Sequence, residues 1–325
     1  MVTAEPNLKD AGSGAMLLAY LSRIGIESEA ADDLIDRDPN TADLKFLLQS
    51  HLKAVPFENL GQISHPAGGD GVPAIPTVLH RPTLDLKKTL KKIVFDRRGG
   101  FCWELNYAFA WLLRSLGYTT RVGNSSVMHP GGPSPGHLCI FVEGLGADVI
   151  HVDPGFGDAP RVPVPAKVGN AVTDDMIGDT YTFRNNDDPE AFSQTPEHFK
   201  RFPIVMMRTR NTGIRGSPMV EFGVGPLGAV PEMAPPEPIY FLNFNDNMES
   251  DDMEAIVGIA HALVDGEENL FSQKRMCIMV REKGYDFVGS EYWKEVRDGK
   301  EVSRTELKDE ASYRAALEKI AGIKL

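Results

Sequence analysis

The chain changes its hydrophobic period sharply at Gly117. Before that point, Leu105, Phe109, Leu112, Leu113 and Leu116 form the apolar stripe of a helix that follows Cys102, and Gly117 stands at its C′ position. After it, from Tyr118 to about Phe241, the chain consists mostly of short apolar runs separated by Gly, Pro and Asn. Those are the signals of strands and turns in an antiparallel β region. An apolar helix that delivers the chain straight into a run of strands points to an α+β fold.

Helical signals also lie on either side. Met16, Leu17, Tyr20, Leu21 and Ile24 recur at helical spacing and stop at Gly25. Thr41 is the expected N-cap of a further helix that carries Leu44, Leu47, Leu48 and His51 on one face and ends before Pro56. Near the other end, Ala311 to Ile323 place Leu317, Ile320 and Ile323 on one side. Residues 61–84 are rich in Gly and Pro and read as a long loop, and 159–170 and 225–238 are Pro-rich connections. The expected organisation is a helical part over 1–117, a β-rich part over 118–237 and a smaller α/β part over 238–325.

Net charge is -12 with no long basic run, which argues against nucleic-acid or anionic-membrane partners. The three cysteines, Cys102, Cys139 and Cys277, are too scattered for a disulfide framework and read as reduced thiols. Met1 to Ser13 is polar, without an apolar signal core, and no apolar run approaches a membrane span. The expectation is a cytoplasmic protein. No Cys/His spacing suggests a metal, and Gly223-Val224-Gly225-Pro226-Leu227-Gly228 is a chance match to a dinucleotide motif, because a proline interrupts it and no helix opens after it.

The densest chemical signal is Arg98-Gly99-Gly100-Phe101-Cys102-Trp103-Glu104-Leu105-Asn106. Two glycines allow a tight turn ahead of a helix, and Cys102 falls at the helix start. Unpaired N–H groups there favour a thiolate and could hold an oxyanion. The competing reading is a small buried residue that merely opens a core helix.

A thiolate nucleophile needs a base and an acceptor that orients it. Residues 136–143 read as a strand, Gly144-Leu145-Gly146 as a turn and residues 148–153 as the returning strand. With a three-residue turn Glu143 faces Ala147, and His137 lies directly across from Asp153, at the ~4.5–5.5 Å Cα spacing of opposed residues. His151 is the competitor. It shares a face with Asp153, sits opposite Cys139 in this register, and a register slip would change the choice. His51, His65, His80, His129, His198 and His261 have no comparable partner and read as surface or packing residues.

These stretches resemble the arylamine N-acetyltransferase family, and more closely its fungal members. The resemblance runs through Tyr20-Leu21-Ser22-Arg23-Ile24-Gly25, Val55-Pro56-Phe57-Glu58-Asn59-Leu60, the Arg98 to Asn106 block, His137-Leu138, Asp153-Pro154-Gly155-Phe156-Gly157 and Gly322-Ile323-Lys324-Leu325. It implies a helical bundle, a β-barrel and an α/β lid, with a cysteine-protease-like triad of Cys102, His137 and Asp153. It implies acyl transfer from acetyl-CoA or another acyl-CoA to an arylamine or hydrazine, through an acyl-cysteine and without a metal. Phe57 and Phe156 match acceptor-pocket positions. Gly136, in the loop Gly131 to Gly136, and Ser272 and Gln273, in the segment Phe271 to Arg275, match coenzyme A contacts. Arg98 and Glu104 look like a structural ion pair, and Asp158 stands where some relatives carry a basic pocket residue. The rival chemistry is a Cys-His-Asp hydrolase or a transglutaminase-like enzyme. Some fungal relatives prefer malonyl-CoA, and Arg121, Asn124, Ser125 and Ser126 are the polar candidates for holding its carboxylate.

Overall fold

The structure is a computed structural model and describes residues 11–27, 29–61, 82–129, 132–158, 160–187, 202–211, 236–248 and 270–325. The Gly-Pro loop over 61–84 falls mostly outside these residues. So do Gly131, the Gly223 to Gly228 motif, nearly all of 225–238, and His65, His80, His198 and His261.

The helical part comprises α1 (Ala11–Arg23), α2 (Glu29–Asp36), α3 (Thr41–Ala54), the short α4 (Leu86–Leu90) and α5 (Cys102–Ser115). Asn40, not Thr41, caps α3. Its backbone is extended (φ −147°) and its side chain accepts the Asp43 N–H at 2.9 Å, so the cap lies one residue earlier than expected and Thr41 is the first helical residue. Between α3 and α4 lies the two-residue strand β1 (Phe57–Glu58). α4 runs on into a wide π-helical turn, Lys91–Phe95, which carries Lys92 into the interior. α5 is buried along most of its length, and Gly117 ends it at φ 86°.

The barrel strands are β2 (Thr119–His129), β3 (Gly132–Glu143), β4 (Ile150–Val152), β5 (Val164–Pro165), β6 (Ala171–Thr173), β7 (Thr180–Asn185), β8 (Ile204–Thr209) and β9 (Glu237–Leu242). They pair in the order β5-β4-β3-β2-β9-β8-β7-β6. A bridge from Val168 to Phe183, with Gly169 N donating to Phe183 O at 2.9 Å, brings the chain after β5 onto β7 and nearly closes the barrel. Period-two alternation in β3 divides its side chains. Leu138, Ile140 and Val142 pack with α5, and Cys139 and Phe141 face the barrel core with Tyr181, Phe183, Met206 and Tyr240. Because β9 pairs between β2 and β8, the barrel continues to Leu242, past the expected boundary after residue 237.

The remaining part holds α6 (Leu270–Gln273), β10 (Met276–Arg281), β11 (Gly284–Gly289), β12 (Tyr292–Arg297), β13 (Lys300–Glu306) and α7 (Glu310–Ala321). Tyr313, Leu317 and Ile320 of α7 pack on Cys277, Met279, Val288 and Trp293. This sheet runs β1-β10-β11-β12-β13, so the N-terminal region supplies its first strand. Gly99 passes hard against that junction. A Cβ there would stand 1.9 Å from Pro56 O, while Glu58 N donates to Gly100 O at 2.9 Å. Neither Gly99 nor Gly100 has a positive φ, so close approach, not a tight turn, makes glycine necessary at Gly99.

Candidate active site

Cys102 is the first residue of α5. Phe101 before it is extended (φ −83°, ψ 171°), and its N–H is accepted by Glu104 at 3.0 Å, which closes the first turn. The N–H groups of Cys102 and Trp103 are spare at this helix start and act on the sulfur. They do not win. Burial, and next the charge of Asp153, push the thiol's pKa well above its ordinary value, against the pull of those N–H groups. The helix start alone therefore does not give the thiolate expected from sequence. Ionisation of Cys102 needs a base to receive its proton.

His137 and Asp153 are joined, Nε2 to Oδ2, at 2.6 Å. The route differs from the expected one. Residues 144–149 form a longer connection than a three-residue turn, and Phe141, not Cys139, lies across from His151. The displacement is two residues, so every side chain keeps its face, and His137 meets Asp153 diagonally. Burial alone would raise the Asp153 pKa, but His137 and the Asn106 amide outweigh it and hold the carboxyl below its usual range.

The first turn of α5 grips both partners. Trp103 Nε1 donates to Gly136 O and Asn106 Nδ2 to Leu138 O, the carbonyls on either side of His137. Asn106 Nδ2 also reaches Asp153 Oδ1 at 2.8 Å. Gly155 N donates to the same oxygen at 3.1 Å. A Cβ on Gly155 would lie 2.5 Å from Cys102 O, so the turn after Asp153 lies directly on the nucleophile's helix. Among the described residues the sulfur makes no hydrogen bond to the imidazole. Catalytic contacts of that kind are often long before substrate binds.

His151 is not placed as the base. It is buried in the barrel, its Nε2 meets Tyr240 Oη at 2.8 Å, and burial takes its pKa down to about 4. Phe156 stands edge-on to His137 with ring centroids 5.6 Å apart. Phe57 packs 5.4 Å from Phe101, next to the nucleophile. Gly136 adopts φ 99° and presents its carbonyl to Trp103. Ser272 is buried and Gln273 half-buried in α6. That helix is anchored by Asn59, which donates to Phe271 O at 2.9 Å and Lys274 O at 2.7 Å. Phe271 packs against Phe101 at 5.1 Å.

Arg98 and Glu104 are not each other's main partners. Arg98 pairs with Glu58 at 2.8 Å and Lys92 with Glu104 at 2.8 Å, and Lys92 lies 3.8 Å from Glu58, so four buried charges form one network under Cys102. Sequence reading missed Lys92 and Glu58 as partners, along with Asn106 and Tyr240. Only Asn106 left a signal, one helical turn beyond Cys102 on the same face. Asp158 binds Arg208 at 2.7 Å, within a cluster that includes Arg210 and Glu237. Arg121 is committed to Glu143 and to the carbonyls of Phe244 and Asp246. Ser125 shares the His137 register position and donates to His137 O at 3.1 Å. Asn124 Oδ1 and Ser126 Oγ are buried and have no hydrogen-bond partner among the described residues.

Residues 40–325 match the N-acetyltransferase family model, and the similar curated proteins and solved structures are arylamine N-acetyltransferases. The chain belongs to the arylamine N-acetyltransferase family. The family is one of acyltransferases. The liver isozyme of Gallus gallus is 31% identical over 145 residues, 43% of this chain and 43% of the relative. Arylamine N-acetyltransferase 2 of Mus musculus is 34% identical over 157 residues, 46% of each. The matched stretch thus spans less than half the length of these curated relatives. The fold match is wider. The Mycobacterium marinum enzyme solved in complex with CoA superposes with a TM-score of 0.67 at 20% identity, over 94% of this chain and 92% of that one. A Bacillus cereus enzyme described with a Cys-His-Glu catalytic triad gives 0.68 at 16% identity, over 95% and 99%. Among the described residues no group of His, Cys, Asp or Glu could hold a metal ion, and no helix is long and apolar enough to cross a membrane.

Proposed function

We propose that this arylamine N-acetyltransferase family member moves an acetyl group from acetyl-CoA to an arylamine or hydrazine, with Cys102, His137 and Asp153 as its catalytic triad. The observation that carries the reading is the His137–Asp153 pair clamped by Trp103 and Asn106 to the helix that Cys102 opens. Because Asp153 occupies Nε2, the base nitrogen is Nδ1. His137 takes the Cys102 proton as sulfur attacks the thioester carbonyl. The carbon–sulfur bond to CoA then breaks, and the imidazolium returns its proton to the leaving thiolate. In the second half His137 takes a proton from the attacking amine, the acyl–cysteine bond breaks, and the Cys102 thiol is restored. The N–H groups of Cys102 and Trp103 are the donors nearest the developing oxyanion. Phe57 and Phe156 line the acceptor side, and Gly136, Ser272 and Gln273 contact coenzyme A. The C-terminal α/β part acts as the lid that excludes water.

Within the family the chain is read as a fungal-type, cytoplasmic member. Acetyl is the donor proposed first. Arg121 is already paired, so the candidate malonyl cluster has no spare cation, and what remains are Asn124 Oδ1 and Ser126 Oγ, which have no hydrogen-bond partner among the described residues. Comparing acetyl-CoA and malonyl-CoA in the wild type and in Asn124→Ala tests the malonyl alternative.

Intact-mass measurement after mixing with acetyl-CoA tests the whole reading. A stable acetyl adduct on Cys102 that an arylamine discharges supports transfer. Turnover without amine supports the hydrolase instead, and no reaction at all defeats both.

A further inference from the structure

The network beneath Cys102 holds a cation that the acyl-transfer steps do not use. Lys92 is carried inward by the π-helical turn Lys91–Phe95 and is 4% exposed. Its Nζ lies 2.8 Å from Glu104 Oε2 and 3.8 Å from Glu58 Oε1. Glu104 is buried in the first turn of α5, shortly after the nucleophile. The same Oε2 accepts the N–H of Phe101, the residue before Cys102, at 3.0 Å. A Cβ on Gly100 would stand 3.2 Å from that oxygen, so the segment leading into Cys102 lies directly on the carboxylate.

A carboxylate in that place opposes negative charge on the sulfur. Both groups are buried, so solvent screens them little. Glu104 joins burial and Asp153 in raising the Cys102 thiol's pKa, against the N–H groups of the helix start. The other charged and titratable groups around the pair come from several elements. Glu58 stands on β1, and the Cys277 thiol of β10 lies across from it. Arg98, on the loop ahead of α5, pairs with Glu58 at 2.8 Å. Asp153, with His137 bonded to it, faces the sulfur from the barrel. Arg98 is thus engaged by Glu58, and Lys92 is the cation bonded to Glu104.

We propose that Lys92 is a positioning residue for the nucleophile, tying down and neutralising the Glu104 carboxylate beside the first turn of α5 so that the Cys102 sulfur can carry negative charge during attack. The inference rests on the reading of Cys102 as the nucleophile.

The test uses the full chain with Lys92→Met, Glu104→Gln and the double variant Lys92→Met/Glu104→Gln. The readout is the pH profile of Cys102 alkylation by iodoacetamide. Lys92→Met leaves an unbalanced negative charge near the sulfur, so the acid limb of the profile moves toward alkaline pH by about one unit. Alkylation below that limb is then about 10-fold slower. Glu104→Gln keeps an acceptor for the Phe101 N–H but leaves Lys92 unbalanced, and its limb moves toward acid by about one unit. The double variant removes both charges and returns to the wild-type profile. Loss of packing alone cannot give shifts of opposite sign that cancel. A wild-type profile in Lys92→Met overturns the proposal, because Glu104 has then taken up a proton instead of burdening the sulfur. Shifts of the same sign in the two single variants overturn it as well. If Lys92→Met does not fold, an acid shift in Glu104→Gln that the double variant cancels decides for the proposal, and its absence decides against.

The alkylation profile needs no acyl donor. The expected shifts in a protein that never transfers acetyl would leave this inference standing and remove the acyltransferase reading. A wild-type Cys102 that iodoacetamide does not modify would remove both.

Discussion

Asn106 Nδ2 sits 2.8 Å from Asp153 Oδ1, one turn along the same helix that Cys102 opens. This amide is the shortest physical link between the nucleophile's element and the carboxylate of its base. It also donates to Leu138 O, so a single side chain sets the height of the His137 strand and the angle of Asp153 together. Asn106→Ala is expected to lower acyl transfer by about 10- to 100-fold, the loss typical when catalytic groups drift by about an ångström. Secondary structure by circular dichroism should be retained. An Asn106→Ala enzyme with wild-type kcat/KM would show that the link is structural only.

Replacing the sulfur separates chemistry from folding. Cys102→Ser should lose acyl transfer and the acetyl adduct while keeping a wild-type melting temperature, because the swap is nearly isosteric in a buried position. Retention of a substantial fraction of turnover would remove Cys102 from the mechanism.

His137→Gln should slow iodoacetamide alkylation of Cys102 at neutral pH. Burial already pushes the thiol's pKa up, and the variant removes the base that would take its proton. His151→Gln should do much less. The opposite order would mean that the wrong histidine has been assigned to the sulfur.

Lys92 is 4% exposed and stands between Glu104 and Glu58. Lys92→Met leaves Glu104 buried with only the Phe101 N–H and should destabilise the protein by about 3–5 kcal/mol. Denaturant unfolding measures this. A loss below about 1 kcal/mol would show that Glu104 reprotonates at little cost.

Acid should weaken the fold before any triad carboxylate titrates. Burial, followed by the charge of Arg23, takes the His51 pKa from 6.5 down to about 3, and burial takes His151 from 6.5 to about 4. Between those values and 6.5 the unfolded chain binds more protons than the folded one, so stability rises with pH there. The contribution is complete above pH 6.5 and is lost as pH falls toward 4, by about 3 kcal/mol for each histidine at the bottom of that window. His51→Gln should flatten the unfolding free energy between pH 6.5 and 4. An unchanged slope in that variant would show that His51 titrates alike in both states.

What was legible in the sequence was what local patterns encode. The α5 stripe and its Gly117 stop are helical facts within one segment, and they appear as read. The His137–Asp153 contact was legible for a subtler reason. The strand period is two, so an error of two residues in register moved each residue along the ladder without turning it over. The turn itself was misread, because Gly144-Leu145-Gly146 looks complete while the ladder resumes only at Ile150. Partners distant in sequence were out of reach. Glu58 is 40 positions from Arg98, and Tyr240 is 89 from His151, with nothing local to mark either pairing. The expected Arg98–Glu104 pair failed on the same ground, since Lys92 is brought in by a π-helical turn that no periodicity announces.

The first strand of the C-terminal sheet carries a consequence for biosynthesis. Phe57 pairs with Ile278, and Glu58, its neighbour, anchors the charges under Cys102. At roughly 5–20 residues per second, about 220 residues of translation separate the two halves of that pairing, a delay of roughly 10–40 s. During that interval the ribosome-bound helical region has no β10 to lie against, and the segment bearing Glu58 must wait with an open edge. The nucleophile's surroundings are therefore finished late in synthesis, and a nascent chain halted before Met276 would emerge with its cysteine in place and its charge support unsecured.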